Sequence, residues 1–277
     1  KTKGIAVDGI PIRKASQLFG MVNVVFFSPE DLSIIKNGPA ERRHFLDSEL
    51  CQLDKVYLYQ LSNYNKVVLQ RNKLLKELYL HPDYREVLDV LDMQLVQYGS
   101  ALIQRRQTFA EELGEIVHRI HSQLSGGQEE MELKYEPNVT VDAFAQMLFA
   151  NRERDMRLKT TATGPHRDDI SFVVNGVDIR KFGSQGQQRT AALSLKLSEI
   201  ELVKRLIGDT PVLLLDDVLS ELDSGRQNYL LNSIENIQTL ITCTGLDEFV
   251  NHRFSINRIY KVTDGSVTVE NKQEADR

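Results

Sequence analysis

The feature that most limits how this chain can fold is a change of period along it. From about Arg42, the residues Leu46, Leu50, Leu53, Tyr57, Leu61 and Tyr64 recur at helical spacing, and the pattern runs to Leu78 before the break "HPDY". A second stripe follows, carrying Leu88, Leu91, Leu95, Leu102, Phe109, Leu113, Ile116, Ile120 and Leu124. Two arms of roughly 40 residues, each about 60 Å long at the α-helical rise, predict an antiparallel helical pair. "MELKYEP" then reads as a strand and residues 141–158 as a further helix. The two ends of the chain have a different pattern. "GIAVDGIPI" sets Asp8-Gly9 between alternating apolar positions, and "MVNVVFF" reads as a largely buried strand ended by Ser28-Pro29. Later come "ISFVVNGVDI" with an Asn175-Gly176 turn, "PVLLLDD", "QTLITCT", and "IYKVTDGSVTVE" with an Asp264-Gly265 turn. β-rich ends therefore bracket a helical insertion. The expected architecture is α/β: one lobe from residues 1–37 and 160–277, with a helical lobe, 38–159, inserted in it.

Composition narrows the function classes. With 277 residues, 41% hydrophobic and 26% charged, the chain has the make-up of an ordinary globular protein. It has no run of about 18 apolar residues and its first ten residues hold no apolar secretory core, so a cytoplasmic protein without membrane contact is expected. Cys51 and Cys243 stand far apart with no CxxC, which points to thiols in a reducing compartment. The net charge of −5 gives no general attraction to nucleic acid, and residues 38–135 carry 12 Lys/Arg against 15 Asp/Glu. Any DNA contact must then come from local patches. Arg42 and Arg43, Arg105 and Arg106, and Arg167 beside His166 are the candidates for phosphate contacts, with surface salt bridges as the competing reading. His118 and His121, spaced i, i+3, read as solvated side chains, and no metal site is expected from histidine.

Two stretches resemble a phosphate-facing SGxQ element. "LSGGQ", Leu124 to Gln128, has the usual letters, but it closes the second long helix and is followed by Glu129 and Glu130. The end of a helix carries the negative pole of its dipole, so that site repels phosphate and reads as a C-cap. "FGSQGQQRT", Phe182 to Thr190, precedes the strongly helical "TAALSLKLSEIELVKRLIG". Ser184 can cap that helix, and Gly186 lets a phosphate approach the backbone. An ordinary Ser-capped helix is the alternative. The following "PVLLLDDVLSELDSGR" favours the phosphate reading, because a buried strand there delivers Asp216 and Asp217, with Ser220, Glu221 and Asp223 just beyond. Strands of this kind place a Mg²⁺-binding carboxylate beside phosphates, and the neighbouring acid can orient the attacking water.

On these stretches, together with "FFSPEDLSIIKNGPAERRHFLD" and "NRERDMRLKTTATGPHRDDI", the chain resembles the RecF family of SMC-related ABC-type ATPases. The resemblance implies an incomplete P-loop NTPase-like lobe with an inserted helical lobe, working as an ATP-dependent homodimer. In that picture Ser184, Gln185, Gly186 and Gln187, with a helix opening at Gln187, face a nucleotide held by the partner subunit. Asp216 helps hold Mg²⁺, Asp217 positions the water, and Ser220, Glu221 and Asp223 belong to the D-loop at the dimer interface. It further implies DNA binding at single-strand/double-strand junctions, acting with RecR and RecO to help RecA load during repair.

Some features depart from that pattern. Asp216-Asp217 stands where wider relatives have Asp-Glu, and the shorter acid fits a slow switch better than a fast motor. No glutamine occurs at Ser28 to Asp31, where a Q-loop would be expected, and "LITCT" ends at Thr244 rather than at a switch histidine. No GxxxxGK[ST] occurs anywhere, which leads to the expectation that an N-terminal segment on the order of a hundred residues is missing and that this chain binds ATP poorly. Lys1-Thr2 do not rescue a P-loop, since a hairpin follows them. A non-enzymatic interaction module and an SMC-like structural protein are the alternatives. The second is disfavoured by the absence of sustained heptads and of a CxxC hook.

Overall fold

The computed structural model describes residues 4–77, 85–243 and 256–270. The "HPDY" break and Thr244 fall outside them. Cα packing divides the chain into two compact units, Lys1–Ile241 and Thr242–Arg277.

The elements, in chain order, are strands β1 (Ile5–Val7), β2 (Ile10–Ile12) and β3 (Val24–Phe27), then helices α1 (Leu32–Lys36), α2 (Pro39–Leu53), α3 (Lys55–Glu77) and α4 (Arg85–Leu124). Strand β4 (Met131–Glu136) precedes α5 (Val141–Ala150) and α6 (Arg152–Leu158). Next come β5 (Asp169–Val174), β6 (Val177–Asp178), α7 (Ile179–Phe182), α8 (Gln185–Ile207), β7 (Val212–Asp216), α9 (Ser224–Ser233) and β8 (Thr239–Thr242). A hairpin of β9 (Ile259–Thr263) and β10 (Ser266–Glu270) follows in the second unit.

All three turns expected from Asx-Gly pairs are present. Asp8 and Gly9, Asn175 and Gly176, and Asp264 and Gly265 each adopt positive φ in succession, the geometry that matches strand twist in two-residue hairpins. The site-bearing sheet has the order β3-β7-β8. β3 and β7 run parallel, with Val24 opposite Val212 and Phe27 opposite Leu215. A second sheet, β4-β5-β6, is antiparallel. Its β4–β5 pairing crosses the expected lobe boundary at 159/160, and α4 packs on both α8 and β4, so packing does not fall away there.

The long helical pair forms, but its first arm is broken. Asp54 leaves helical geometry, and its Oδ1 accepts from Val56 N (2.8 Å) and Tyr57 N (3.1 Å), so one residue ends α2 and caps α3. The expected helix over 141–158 is likewise divided, at Asn151, whose Nδ2 donates to Thr163 Oγ1 at 2.9 Å. α4 runs unbroken for 40 residues. Gly99 in its middle costs helix stability, yet a Cβ there would lie 2.5 Å from Phe144 Cε1 and 3.0 Å from Tyr64 Cε2. There side chains of α3 and α5 press against the backbone of α4.

Charge as well as apolar surface holds this core together. Arg106 is buried on α4. It reaches Asp47 on α2 (2.8 Å), Tyr57 Oη on α3 (2.9 Å), and both Asp168 (2.9 Å) and the Pro165 carbonyl (2.6 Å) ahead of β5. Arg42 grips Asp169 with two nitrogens, at 2.6 and 2.9 Å. Arg71 joins Asp92 and Asp155 at 2.6 and 2.7 Å. The candidate phosphate contacts Arg42 and Arg106 are therefore corrected: both point inward, where an ion pair is the only stable state for a buried guanidinium. Arg43 is half-buried and donates to the Asp168 carbonyl at 2.7 Å, and Arg105 pairs with Asp54 at 3.2 Å. Arg167 is exposed. The reading of His121 as solvated is also corrected, since it is wholly buried; His118 is exposed. No described helix is long and apolar enough to cross a membrane.

Two outcomes follow for stability. Arg106→Met should lower the unfolding free energy by about 3–5 kcal/mol, because it strands Asp168 and Asp47; urea denaturation measures this. His166 hydrogen-bonds Tyr64 Oη through Nδ1 (2.6 Å) and the Thr161 carbonyl through Nε2 (3.0 Å), and burial pulls its pKa down to about 4. The unfolded chain therefore takes up this proton first. The histidine's contribution is full above the ordinary pKa and drains away as pH falls toward 4. Relative to His166→Gln, the wild type should lose on the order of 3 kcal/mol across that window, read from urea midpoints at successive pH values.

Candidate nucleotide-facing site

The site is organised by α8, which is buried from Thr190 to Ile200 and emerges at its first turn and again at its last. Ser184 is its N-cap: Oγ accepts from Gln187 N at 3.2 Å, while Gln187 Oε1 accepts from Ser184 N at 2.9 Å. This reciprocal capping box satisfies two end donors and leaves the remaining N–H groups of the turn facing outward. The helix opens at Gln185, two residues earlier than expected. Ser184, Gln185 and Gly186 are exposed and Gln187 is half-buried. A Cβ on Gly186 would meet nothing nearer than Ser184 Oγ at 3.9 Å, so packing does not require this glycine, and the bare backbone lies open to a ligand. Gly183 is different. A Cβ there would fall 2.5 Å from the Ile179 carbonyl oxygen, so the tight step from α7 into α8 depends on it.

β7 buries Leu213 and Leu215 and delivers Asp216, exposed, at its C-terminal end. Asp217 follows at φ +50°, in the left-handed region. Ser220 Oγ donates to the Asp217 carbonyl at 2.8 Å and lies 3.2 Å from Asp217 Oδ1. Glu221 closes a single 3₁₀ turn, Leu219–Glu221. Asp223 caps α9, accepting from Arg226 N at 3.0 Å, and pairs with Arg226 Nη1 at 2.6 Å. Hydrogen bonding to the Arg226 backbone holds the Asp223 carboxyl below its ordinary pKa.

Arg226 escaped sequence reasoning. Its Nη2 donates to Thr190 Oγ1 at 2.5 Å, and Thr190 Oγ1 donates to the Gly186 carbonyl at 2.8 Å. The turn after β7 and the first turn of α8 are thereby joined through side chains, although some thirty residues separate them. The one available signal was its position three residues after the capping Asp223. An open groove runs along the same junction, lined by Phe27, Ser28 and Asp31 from the end of β3, by Arg189 and Leu193 of α8, and by Val218. Deeper along α8, Lys196 Nζ lies 2.6 Å from Glu199 Oε2 and 3.9 Å from Asp31 Oδ1, with Glu49 buried nearby. Burial raises the pKa of all three carboxyls, against the attraction of Lys196.

The stretch with the usual letters is a helix end, as expected. α4 stops at Leu124, Gly126 and Gly127 take positive φ, and Gly127 N donates back to the Ser122 carbonyl at 2.7 Å.

The DNA replication and repair protein RecF of Lachnospira eligens is 62% identical over 273 residues, covering 98% of this chain and 75% of its own length. The RecF of Agathobacter rectalis is 61% identical over 267 residues, covering 96% of this chain and 74% of its own. The chain belongs to the RecF family. A solved structure of the recombination mediator protein RecF with ATP in the RecFOR pathway superposes with a TM-score of 0.88 at 35% identity, covering 98% of this chain and 73% of that one. The fold is accordingly the α/β fold of RecF, an ABC-type ATPase fold. No family model matches the chain.

The strain at Asp217 can be isolated by two variants of this RecF-family chain. Asp217→Ala and Asp217→Gly both lose the Oδ1 contact with Ser220 and keep the one to the backbone carbonyl, but only alanine keeps a side chain in the left-handed region. The glycine variant should be the more stable of the two by about 1 kcal/mol, measured by thermal or urea unfolding.

Proposed function

We propose that this chain supplies the partner-facing half of an ATP-switched, DNA-binding recombination mediator in which two copies close on nucleotide. One observation carries the reading. The exposed first turn of α8 is tied through Thr190 and Arg226 to the Asp223 turn that follows Asp216 and Asp217. Signature and acidic strand end are thus parts of one unit.

Each residue then has a role set by its chemistry. Ser184 Oγ and the outward N–H groups at Gln185 and Gly186 would hold the γ-phosphate of a nucleotide carried by the partner copy, at the positive end of the α8 dipole. Asp216 would be a Mg²⁺ ligand, and the ion, when bound, neutralises charge on the phosphate oxygens. Asp217 would orient the attacking water and accept its proton. Its reach is one methylene shorter than that of a glutamate, which favours slow turnover and a long-lived closed state. Ser220, Glu221 and Asp223 would meet the second copy.

The relatives' role as DNA replication and repair proteins, and the RecFOR pathway of the solved RecF structure, support DNA as the ligand and RecO and RecR as functional partners. We extend this to binding at single-strand/double-strand junctions in the cytoplasm and to help in loading RecA. Of the five arginines considered for DNA, Arg167 is the one fully at the surface.

The test uses the intact protein with DNA present. Asp217→Asn should lower ATP turnover about 100-fold or more while ATP-dependent self-association persists. Ser184→Arg should abolish the self-association. Full turnover in the first variant, or unchanged association in the second, overturns these assignments.

A further inference from the structure

The "LSGGQEE" loop that cannot hold phosphate touches the element that can. Gln187 Nε2 donates to Glu129 Oε1 at 2.9 Å across 58 residues of sequence. We propose that Glu129 is a positioning residue for the phosphate-facing turn: it fixes the Gln187 carboxamide in the one orientation that closes the Ser184 cap, and so couples the end of α4 to the signature.

The two ends of a carboxamide are chemically distinct. Its oxygen accepts and its nitrogen donates, while an ionised carboxylate only accepts. Glu129 therefore selects the Nε2 end of Gln187, which leaves Oε1 to receive Ser184 N–H, as found at 2.9 Å. Without that carboxylate the amide is free to turn over, and the turn loses one of its two reciprocal bonds.

Glu129 also lies against the end of α4. Its Oε2 lies 3.2 Å from Nε2 of His121, a side chain with no solvent exposure. His121 Nδ1 lies 2.9 Å from Ser194 Oγ, which donates its only hydrogen to the Thr190 carbonyl at 2.7 Å. Ser194 can then only accept from His121, so the neutral ring carries its hydrogen on Nδ1, and Nε2 donates to Glu129 only when the ring is protonated, which burial disfavours. The ring of contacts begins and ends on α8. Ser125 Oγ accepts from Glu129 N at 3.2 Å, and its single hydrogen lies between the Ser122 carbonyl at 3.1 Å and the Glu129 carbonyl at 3.3 Å. The left-handed Gly126 and Gly127 make the reversal that brings Glu129 back toward α8. The loop's serine and glycines are thus used to aim a carboxylate.

This inference rests on the partner-nucleotide role proposed for Ser184, and its test separates the two. In the intact protein, Glu129→Ala should raise the ATP concentration for half-maximal self-association about tenfold, the loss expected for one charge-assisted hydrogen bond. Glu129→Gln still offers an oxygen to Gln187 and should restore the wild-type midpoint. Gln187→Glu, a half-buried position, sets two carboxylates face to face and should lose as much as Glu129→Ala. Amide exchange over residues 183–188 is the direct reading: faster at Ser184 in Glu129→Ala and Gln187→Glu, unchanged in Glu129→Gln. If the wild type shows no ATP-dependent association, the signature role falls, while amide exchange still decides the role of Glu129. Equal exchange in all four proteins overturns the inference, as does a Gln187→Glu variant that associates like the wild type.

Discussion

A fully buried arginine sets the frame of this molecule. Arg106 cannot lose its charge and cannot reach water, so every group it touches must stay in place. Those groups belong to α2, α3 and the segment ahead of β5, and Tyr135 of β4 closes on the same Asp168. The helical pair and the β4-β5-β6 sheet are thereby referenced to one guanidinium. Apolar packing alone would let α4 slide by small steps along its stripe of leucines. A fork of directed hydrogen bonds to three elements does not permit that.

What α4 gains in fixed position at Arg106 it delivers at its far end, where Glu129 meets the first turn of α8. α8 is then constrained from three directions. The His121–Ser194 contact holds it on the α4 side, and the Lys196 cluster holds it against α2 and the Asp31 turn. Arg226 holds it against α9. Its N-terminal turn is left uncovered. A rigid helix with a bare N-terminus suits an element that must offer backbone donors without rearranging to do so, which is how preorganised electrostatic sites act. Asp217, held in left-handed geometry one residue past the strand, belongs to the same logic of local strain sustained by surrounding structure.

Much of this was legible in the amino-acid order, for physical reasons. Hairpin turns declare themselves because few residue pairs besides Asx-Gly accept two successive positive φ values cheaply, and all three such pairs between strands did. The acidic strand end and the Ser184 cap were readable because each is local: a run, a cap, a spacing. The unread parts depend on distance or on a single residue overriding a pattern. Asp54 interrupts a stripe whose apolar period continues past it, because its carboxylate captures the next two free N–H groups. The arginines at 42 and 106 look like surface residues, since the carboxylates that bury them lie more than a hundred and some sixty residues away. His121, Glu129 and Arg226 carry little signal in their neighbours because each also bonds a residue of α8 far away in the sequence.

The parallel pairing of β3 with β7 has a consequence in time. Val24 and Val212 become neighbours although about 190 residues lie between them, and at common synthesis rates that interval takes roughly 10–40 s. During it the helical pair, whose contacts are mostly between successive elements, can form, while β3 must wait with its hydrogen-bonding edge unmatched. Phe26, still nearly half exposed in the finished fold, marks where that waiting strand is most adhesive. A nascent chain of this protein is therefore at greatest risk of mispairing after its largest helices have already settled, and a chaperone that shields one short strand would protect the whole assembly line.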